Sequence, residues 1–341
     1  MVGASGYGGG ELVRLLAEHP HVDLTYVTSN TYEGQSIRKA LPGTAKRLAI
    51  TFEPFHLVAA TDRCDCVFLA GESGLAMRLA PGLLEHHVKV IDLSADFRLT
   101  DPAVFTEWYK SEHTAVDTLK SAVYGLPELN RQRIRAASLI ANPGCYPTSA
   151  ILAVAPLLKN DLVDTKSIIV DSMSGVSGAG RSKFGLDLHF SEVNDSVKAY
   201  GVGGKHRHTP EIEQVLTSVS KQPVTITFTP HLIPVTRGIL TTAYANLTGS
   251  YEQVRETFAD AYAHEPFVYV HEEGEFPATK HVQASNACHI GLCYDSRTGR
   301  VIVVSAIDNL IKGAAGQAVQ NMNIMSNFEE TAGLSMPSVW P

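Results

Sequence analysis

The sequence predicts an α/β protein in two parts. The first is a doubly wound parallel sheet, and the second is an α+β domain with a mixed or antiparallel sheet. Three observations predict it. The chain opens on a glycine-rich loop, VGASGYGGGEL, that runs straight into an amphipathic helix. Short β-rich runs then alternate with helical stretches as far as SLIAN at 138–142. Beyond that point strands crowd together with few helices between them. The length of 341 residues is too great for one ordinary small core and suits two domains or one large α/β unit.

In the first part, GGELVRLLAEHP places Leu12, Val13, Leu15 and Leu16 on one helical face, and Pro20 stops the helix. VDLTYVTS, CDCVFLA, VKVIDLSA and SLIAN read as strands with polar or glycine stops, and GLAMRLAPGLLEHH as a helix between two of them. Such strand–helix–strand repetition is that of a Rossmann-type sheet, whose first strand lies in the middle. Here the strand before the glycines is reduced to Met1 and Val2. The expectation is a first strand cut short at residue 1 or beginning upstream of it.

The second part reads differently. SIIVDSMSG, VTITFTPHL, GILTTAYANL, FVYVH, HIGLCYD and RVIVVSAID are strands, and the turn SRTG joins the last two into an antiparallel hairpin. Helices are predicted at TPEIEQVLTSVSK and YEQVRETFADAYAHE. A last helix, NLIKGAAGQAVQNMNIM, is rich in small residues and suited to close packing on a neighbour. There is no internal repeat, low-complexity tract or Pro/Ser linker, so the domains join tightly, near ANPGCYPTSA at 141–150.

Composition narrows the function. The chain is 44% hydrophobic and 18% charged, with a net charge of −7 from 28 basic and 35 acidic residues. That balance argues against a broad nucleic-acid or anionic-membrane partner, both of which need a basic face. No apolar run approaches the ~18 residues of a membrane span, and no signal-peptide pattern opens the chain. Five widely spread cysteines fit a reduced, cytoplasmic protein rather than a disulfide framework. Cys64, Cys66, Cys288 and Cys293 read as core thiols, and no C-x-x-C pair suggests zinc.

The chemistry concentrates in a few places. Gly3, Ser5, Gly6, Gly8 and Gly9 form a loop over which a pyrophosphate can approach the backbone, with helix N-terminal amides behind it. The tip of the second strand carries Ser29 and Asn30, with Arg38 and Lys39 downstream. No acid stands there to take a ribose hydroxyl, although Glu33 is near, so NADP is favoured over NAD. Cys145 follows Pro143-Gly144 and precedes the helix start PTSAILAVA. A helix N-terminus favours a thiolate, and Gly144 leaves room for a reactant, so a nucleophile is the favoured reading over a packing thiol.

A nucleophilic thiol needs an acid/base partner. Fourteen histidines make any one of them weak evidence, but KHRHTPEI sets His206, Arg207 and His208 at a helix start, with Thr209 able to cap it and Pro210 at its first position. No third ligand with metal spacing accompanies the two histidines, so no metal is expected. The loop MSGVSGAGR, with Ser177, Gly178 and Arg181, offers backbone amides and a charge to an oxyanion or phosphate. Arg98 falls just past a strand's C-terminal end, where open α/β sheets bind ligands.

Taken together, VGASGYGGGEL, DLSADFRL, VYGLPELNR, NPGCYPT, SGVSGAGR, YGVGGKHRHTPEI, FTPHLIPVTRGI and DNLIKGAAGQA resemble, in order and over nearly the whole chain, the N-acetyl-γ-glutamyl-phosphate reductases of the wider aspartate-semialdehyde dehydrogenase group. The resemblance implies Cys145 as nucleophile and His208 as acid/base, with His206 its rival. It implies Asn309 on the nicotinamide amide, and Arg98, Arg181 and Arg207, with His206, on the anionic groups of the substrate. Ser149 stands where a smaller Gly or Ala is expected. The last helix would return to the cofactor domain, giving 1–143 with 309–341 as the NADP-binding part and 144–308 as the catalytic and oligomerisation part. The implied reaction is NADPH-dependent reduction of an acyl phosphate through a thioester, in a homodimer or homotetramer. Aspartate-semialdehyde dehydrogenase and reductases of carrier-linked acyl phosphates are alternatives within the group. A thiol hydrolase or acyltransferase and a silent binding module are alternatives outside it.

Overall fold

The structure is a computed structural model that describes residues 1–44, 48–183 and 185–339. Residues 340 and 341, at the end of the expected C-terminal return, lie outside these. Internal contacts divide the chain into two compact units. One comprises Met1–Gly144, Gly180–Ser182 and Ala314–Ser335, and the other Cys145–Ala179, Lys183–Gly313 and the segment from Met336.

The first unit is built on four parallel strands: β1 (Cys66–Leu69), β2 (Lys89–Asp92), β3 (Val123–Tyr124) and β4 (Leu139–Ala141), in the spatial order β1-β2-β4-β3. Val2 extends this sheet, bridging Leu69 on one side and Thr28 on the other, both in parallel, while Thr28 bridges Glu53. Val2 therefore lies in the central place that the glycine loop requires, as an isolated bridge rather than a strand. VDLTYVTS departs from expectation, since only Thr28 of that stretch enters a bridge. Around the sheet stand α1 (Tyr7–Leu16), α2 (Leu57–Arg63), α3 (Leu75–Glu85), α4 (Pro102–Tyr109), α5 (Val116–Leu119) and α6 (Pro127–Arg135). α1 buries Leu12, Val13, Leu15 and Leu16, the face that the spacing predicts. α4 starts where Asp101 caps the Ala103 N–H and Pro102 supplies a preset φ. Val67, Leu69, Leu83, Val90 and Phe105 are fully buried in the core beneath, each worth about 1.5–3 kcal/mol relative to exposure.

The second unit is a seven-stranded mixed sheet: β5 (Ile169–Gly175), β6 (Lys198–Ala199), β7 (Thr227–Ile233), β8 (Ile239–Asn246), β9 (Val268–Val270), β10 (Cys288–Asp295) and β11 (Arg300–Ile307). Its order is β6-β7-β5-β8-β11-β10-β9. β10 and β11 form the expected antiparallel hairpin, whereas β5–β7 and β9–β10 are parallel pairs. Its helices are α7 (Cys145–Lys159), α8 (Phe190–Val193), α9 (Thr209–Ser220) and α10 (Tyr251–Tyr262). α7 is the buried centre, with every residue from Tyr146 to Leu158 hidden, packed on β8 and β11 and against α9 and α10. Pro156 inside it has no N–H for the Leu152 carbonyl one turn back, and the Tyr262 hydroxyl donates to that carbonyl instead at 2.6 Å. Ser149, expected to be smaller, has its hydroxyl paired with Ser305 on β11 at 2.6 Å.

A π-helical turn, Ile311–Ala315, leads into α11 (Gly316–Met325), which belongs with the first unit. Small residues let it pack closely, with Gly316 and Ala318 buried and a Cβ on Gly125 only 2.6 Å from Asn321 Nδ2. Buried amides hold it: Asn321 donates to the Gly125 carbonyl at 2.8 Å and to Asn142 Oδ1 at 3.1 Å, and Gln320 donates to Glu330 at 2.8 Å. Lys89 donates to the Met325 carbonyl at 2.6 Å, a cation at the negative end of the helix. Among the cysteines Cys288 is buried and burial pushes the Cys66 thiol up to about 12, while Cys64 and Cys293 are half-buried. Among the described residues no helix is long and apolar enough to cross a membrane.

Candidate active site

The glycine loop shows which glycines serve packing and which serve a ligand. A Cβ on Gly3, whose φ is +82°, would lie 2.4 Å from the Ala70 carbonyl oxygen, and one on Gly9 would lie 2.2 Å from the Gly3 oxygen. Both are therefore fixed by the fold. A Cβ on Gly6 would meet only the Gly3 oxygen, at 3.7 Å, and one on Gly8 would meet nothing within 4 Å. Gly6 is the N-cap of α1 with no side-chain cap, so the first amides of that helix face this open space. A pyrophosphate fits there by both space and dipole.

Beside it, Ser5 Oγ pairs with Ser29 Oγ at 2.8 Å, and Ser29 Oγ accepts the Tyr32 N–H at 3.3 Å. Arg181 joins this group. It donates to the Ser5 carbonyl at 3.0 Å and to Tyr32 Oη at 3.1 Å, with its guanidinium carbon 5.7 Å from the Tyr32 ring centre. The structure thus places Arg181, expected on the substrate, beside the glycine loop. The excursion Gly180–Ser182 belongs to the first unit and brings a fixed charge to the cofactor loop. A strand tip with Ser29, Arg181 and no capping carboxylate fits NADP.

Arg98, also expected on the substrate, lies at the strand ends. It is buried, and donates through Nε to the Asn142 carbonyl at 2.8 Å and through a terminal nitrogen to the Leu93 carbonyl at 2.7 Å. It clamps the ends of β2 and β4, two residues before Gly144, and so sets the turn that leads to Cys145. Beside it, burial and the Asp96 carboxylate push Asp92 up to about 7, against the pull of Ser94 and Arg98. Asn142, which sequence reasoning passed over, donates to the Ala314 carbonyl at 3.1 Å and so ties that turn to the C-terminal return.

Cys145 is the first residue of the fifteen-residue α7, not the residue before it, and is half-buried. The next residue, Tyr146, gathers its surroundings. Its hydroxyl pairs with Tyr200 Oη at 2.9 Å and donates to the His231 carbonyl at 3.3 Å, and its ring lies edge-on to His206, His208 and Phe228 at 5.5, 5.9 and 5.5 Å. Burial raises the Tyr146 phenol, and it raises that of Tyr200 to about 12, so both stay neutral. The thiol turn and the two histidines thus share one cluster inside the second unit. Gly313 completes it, since a Cβ there would lie 2.8 Å from Cys145 Cβ and 3.3 Å from the Asp308 oxygen. Gly313→Ala is expected to displace the thiol, cut kcat about 10²-fold and slow alkylation of Cys145 by iodoacetamide. Unchanged alkylation and turnover would show that the contact is idle.

The histidines differ. His206 is caged by Tyr146, Tyr200, His208 and Phe228, and its Nδ1 accepts the His208 backbone N–H at 3.1 Å. Burial first, then the charges of Arg207 and Lys183, push it down to about 4. It is neutral at pH 7 and locked. His208 is the N-cap of α9, half-buried, with αR backbone angles. Thr209 is the first helical residue rather than the cap, and Pro210, expected first, is the second. Arg207 stands exposed between the two histidines.

Asn309 lies in the second unit, 2% exposed. Its Nδ2 donates to Ser177 Oγ at 2.9 Å and its Oδ1 accepts the Gly238 N–H at 2.7 Å. Asn309, Ser177 and Gly178 are therefore one group, with a Gly178 Cβ only 3.8 Å from Asn309 Nδ2. Asp308 next to it accepts the Ala284 and Leu310 N–H groups and stands 3.6 Å from Arg237.

Comparison with known proteins agrees with this division. Residues 1–137 match the family model for the NAD binding domain of semialdehyde dehydrogenase, and residues 145–309 the model for its dimerisation domain. N-acetyl-gamma-glutamyl-phosphate reductase of Pelotomaculum thermopropionicum is 53% identical over 100% of this chain and 98% of that protein. The same-named protein of Geobacter metallireducens is 53% identical over 100% of this chain and 99% of its own. Among solved structures, aspartate semialdehyde dehydrogenase II of Vibrio cholerae, complexed with ASA, superposes with a TM-score of 0.73 at 17% identity, covering 96% of this chain and 97% of that one. The aspartate semialdehyde dehydrogenase of Candida albicans, with NADP, gives 0.72 at 15% identity over 96% and 98%. At these identities the structural likeness is one of fold.

Proposed function

The chain belongs to the N-acetyl-γ-glutamyl-phosphate reductases, within the semialdehyde dehydrogenases, and from that membership we propose how its residues divide the reaction. The reaction is reduction of N-acetyl-γ-glutamyl phosphate to the 5-semialdehyde with release of phosphate, a step of arginine biosynthesis. The first unit is the cofactor domain. NADPH, when bound, supplies the hydride. Gly6, Gly8 and the first amides of α1 would receive its pyrophosphate, with Ser5, Ser29 and Arg181 beside them, and the family resemblance would give the nicotinamide amide to Asn309, which Ser177 holds.

In the second unit the Cys145 thiolate attacks the acyl carbon. The carbon–oxygen bond to phosphate breaks, phosphate leaves with the electron pair, and an acyl thioester remains on the sulfur. After reduction the carbon–sulfur bond of the thiohemiacetal breaks, the aldehyde leaves and the thiolate is restored. His208 takes the thiol proton at the start and holds a proton for the developing oxyanion, a role worth about 10²–10⁴ in rate. The observation that carries this assignment is the cage around His206. A group held near 4 and closed in by aromatic rings is a poor acid/base at neutral pH, and it instead braces the His208 backbone. Arg207, exposed beside them, receives the anionic end of the substrate. Arg98 acts through the turn it clamps rather than on the substrate.

A cytoplasmic homo-oligomer, dimer or tetramer, is the accompanying reading, supported by the dimerisation-domain match and the absence of a helix fit to span a membrane among the described residues. Arg181→Ala is expected to raise KM for NADPH about tenfold, the equivalent of about 1.4 kcal/mol, with KM for the acyl substrate unchanged. A rise in the acyl-substrate KM instead would return Arg181 to the substrate. The function itself is tested by following NADP reduction with N-acetylglutamate semialdehyde and with aspartate semialdehyde, with and without phosphate. Phosphate-dependent reduction of NADP with the acetylated aldehyde is the expected result. Preference for aspartate semialdehyde, or turnover indifferent to phosphate, would overturn it.

A further inference from the structure

At the far edge of the second sheet three histidines meet that the reductase reaction does not use. β9 is the edge strand, and its parallel register with β10 sets Tyr269 opposite His289. His271 continues that strand, its N–H donating to the Ile290 carbonyl at 2.7 Å, so His271 and His289 are diagonal neighbours on one face of the sheet. His281 arrives from the short 3₁₀ turn Thr279–His281 in the loop that joins the two strands. One ring nitrogen from each of the three lies within 4.8 Å of the others, and His271 Nε2 is 3.2 Å from His289 Nδ1.

We propose that His271, His281 and His289 form a binding site for a divalent transition metal of the imidazole-preferring class, with zinc as its expected occupant. Two bonds of about 2.0–2.1 Å at a tetrahedral ion place the ligand nitrogens about 3.4 Å apart, close to the spacing of the nearest pair. Three histidines supply three positions of such an ion and leave the fourth to water. Glu275 is the independent observation. Its carboxylate stands 3.5 Å from His271 Nδ1, the ring nitrogen opposite the one that faces His289. A carboxylate there accepts the Nδ1–H and leaves the Nε2 lone pair to the shared space, the arrangement in which metal-bound histidines are held. His281 Nδ1 accepts the Ala278 N–H at 3.2 Å, so the backbone of the loop orients this partly open ring within the cluster. Bound in this way, an ion would clamp the 271–289 segment to the sheet edge.

The test uses the full chain, freed of metal by a chelator and titrated with Zn²⁺ and, for its spectrum, Co²⁺. The expected result is one ion per chain, with visible cobalt bands and no thiolate-to-cobalt charge transfer, which Cys145 or another thiol would produce. His281→Ala is expected to weaken binding by at least about 100-fold and Glu275→Gln by about 10–100-fold, with the melting temperature of the metal-free protein unchanged in both. His281 is partly open to solvent, so its variant keeps the test readable where His289→Ala fails to fold. No uptake of either ion at submillimolar concentration, equal affinity in His281→Ala, or a charge-transfer band would each overturn the site.

Discussion

Cys145→Ser is expected to lower kcat/KM by about 10⁴-fold or more while NADPH still binds with near wild-type affinity. The size of the loss follows from the chemistry assigned to the sulfur. A thiolate forms readily near neutral pH, adds to an acyl phosphate and leaves well from a thiohemiacetal, whereas a serine ester accepts hydride poorly and its alkoxide leaves badly. The retention of NADPH follows from the fold. The glycine loop, Ser29, Tyr32 and Arg181 are held by the first unit's own sheet and helices, and Cys145 begins the second unit. Equilibrium binding and steady-state rates on the same preparation read the two effects separately. Substantial turnover in the serine variant would exclude the covalent route.

The second large effect separates the neighbouring histidines. His208→Ala is expected to cut kcat by about 10²–10⁴-fold and to remove the limb of the pH–rate profile due to the acid/base. His206→Asn is expected to keep that limb, because Asn can still accept the His208 N–H. Its signature lies in stability instead. The folded His206 sits near 4, below the ordinary 6.5, so the neutral ring favours the fold above about 6.5. That contribution fades as pH falls from about 6.5 toward 4, where the unfolded chain takes up the proton first. His206→Asn should therefore lose less stability than wild type between those values in urea melts. Loss of the kinetic limb in His206→Asn with its retention in His208→Ala would reverse the assignment.

The fold was legible where the signal was local. The 3.6-residue stripe of α1 and the SRTG turn of the β10–β11 hairpin are local in sequence, and each appears where the pattern puts it. VDLTYVTS has strand composition, but its neighbours Val2 and Glu53 meet it only through isolated bridges, both at Thr28. Cys145 could be read because Pro143-Gly144 and a helix start flank it in sequence. The carbonyl partners of Arg98 and Arg181 were not legible, because loop arginines look alike in sequence. Gly313 carried no local sign at all, since its need to be glycine comes from Cys145, far away in the chain. The three histidines of the sheet edge were equally silent, because strand register rather than spacing brings two of them to one face.

The most direct test of the covalent account is mass spectrometry of the enzyme mixed with N-acetyl-γ-glutamyl phosphate in the absence of NADPH. The account predicts a stoichiometric burst of phosphate and an N-acetylglutamyl group on the peptide that contains Cys145, discharged as the aldehyde when NADPH is added. No adduct under conditions that support turnover, or an adduct confined to another residue, would contradict it.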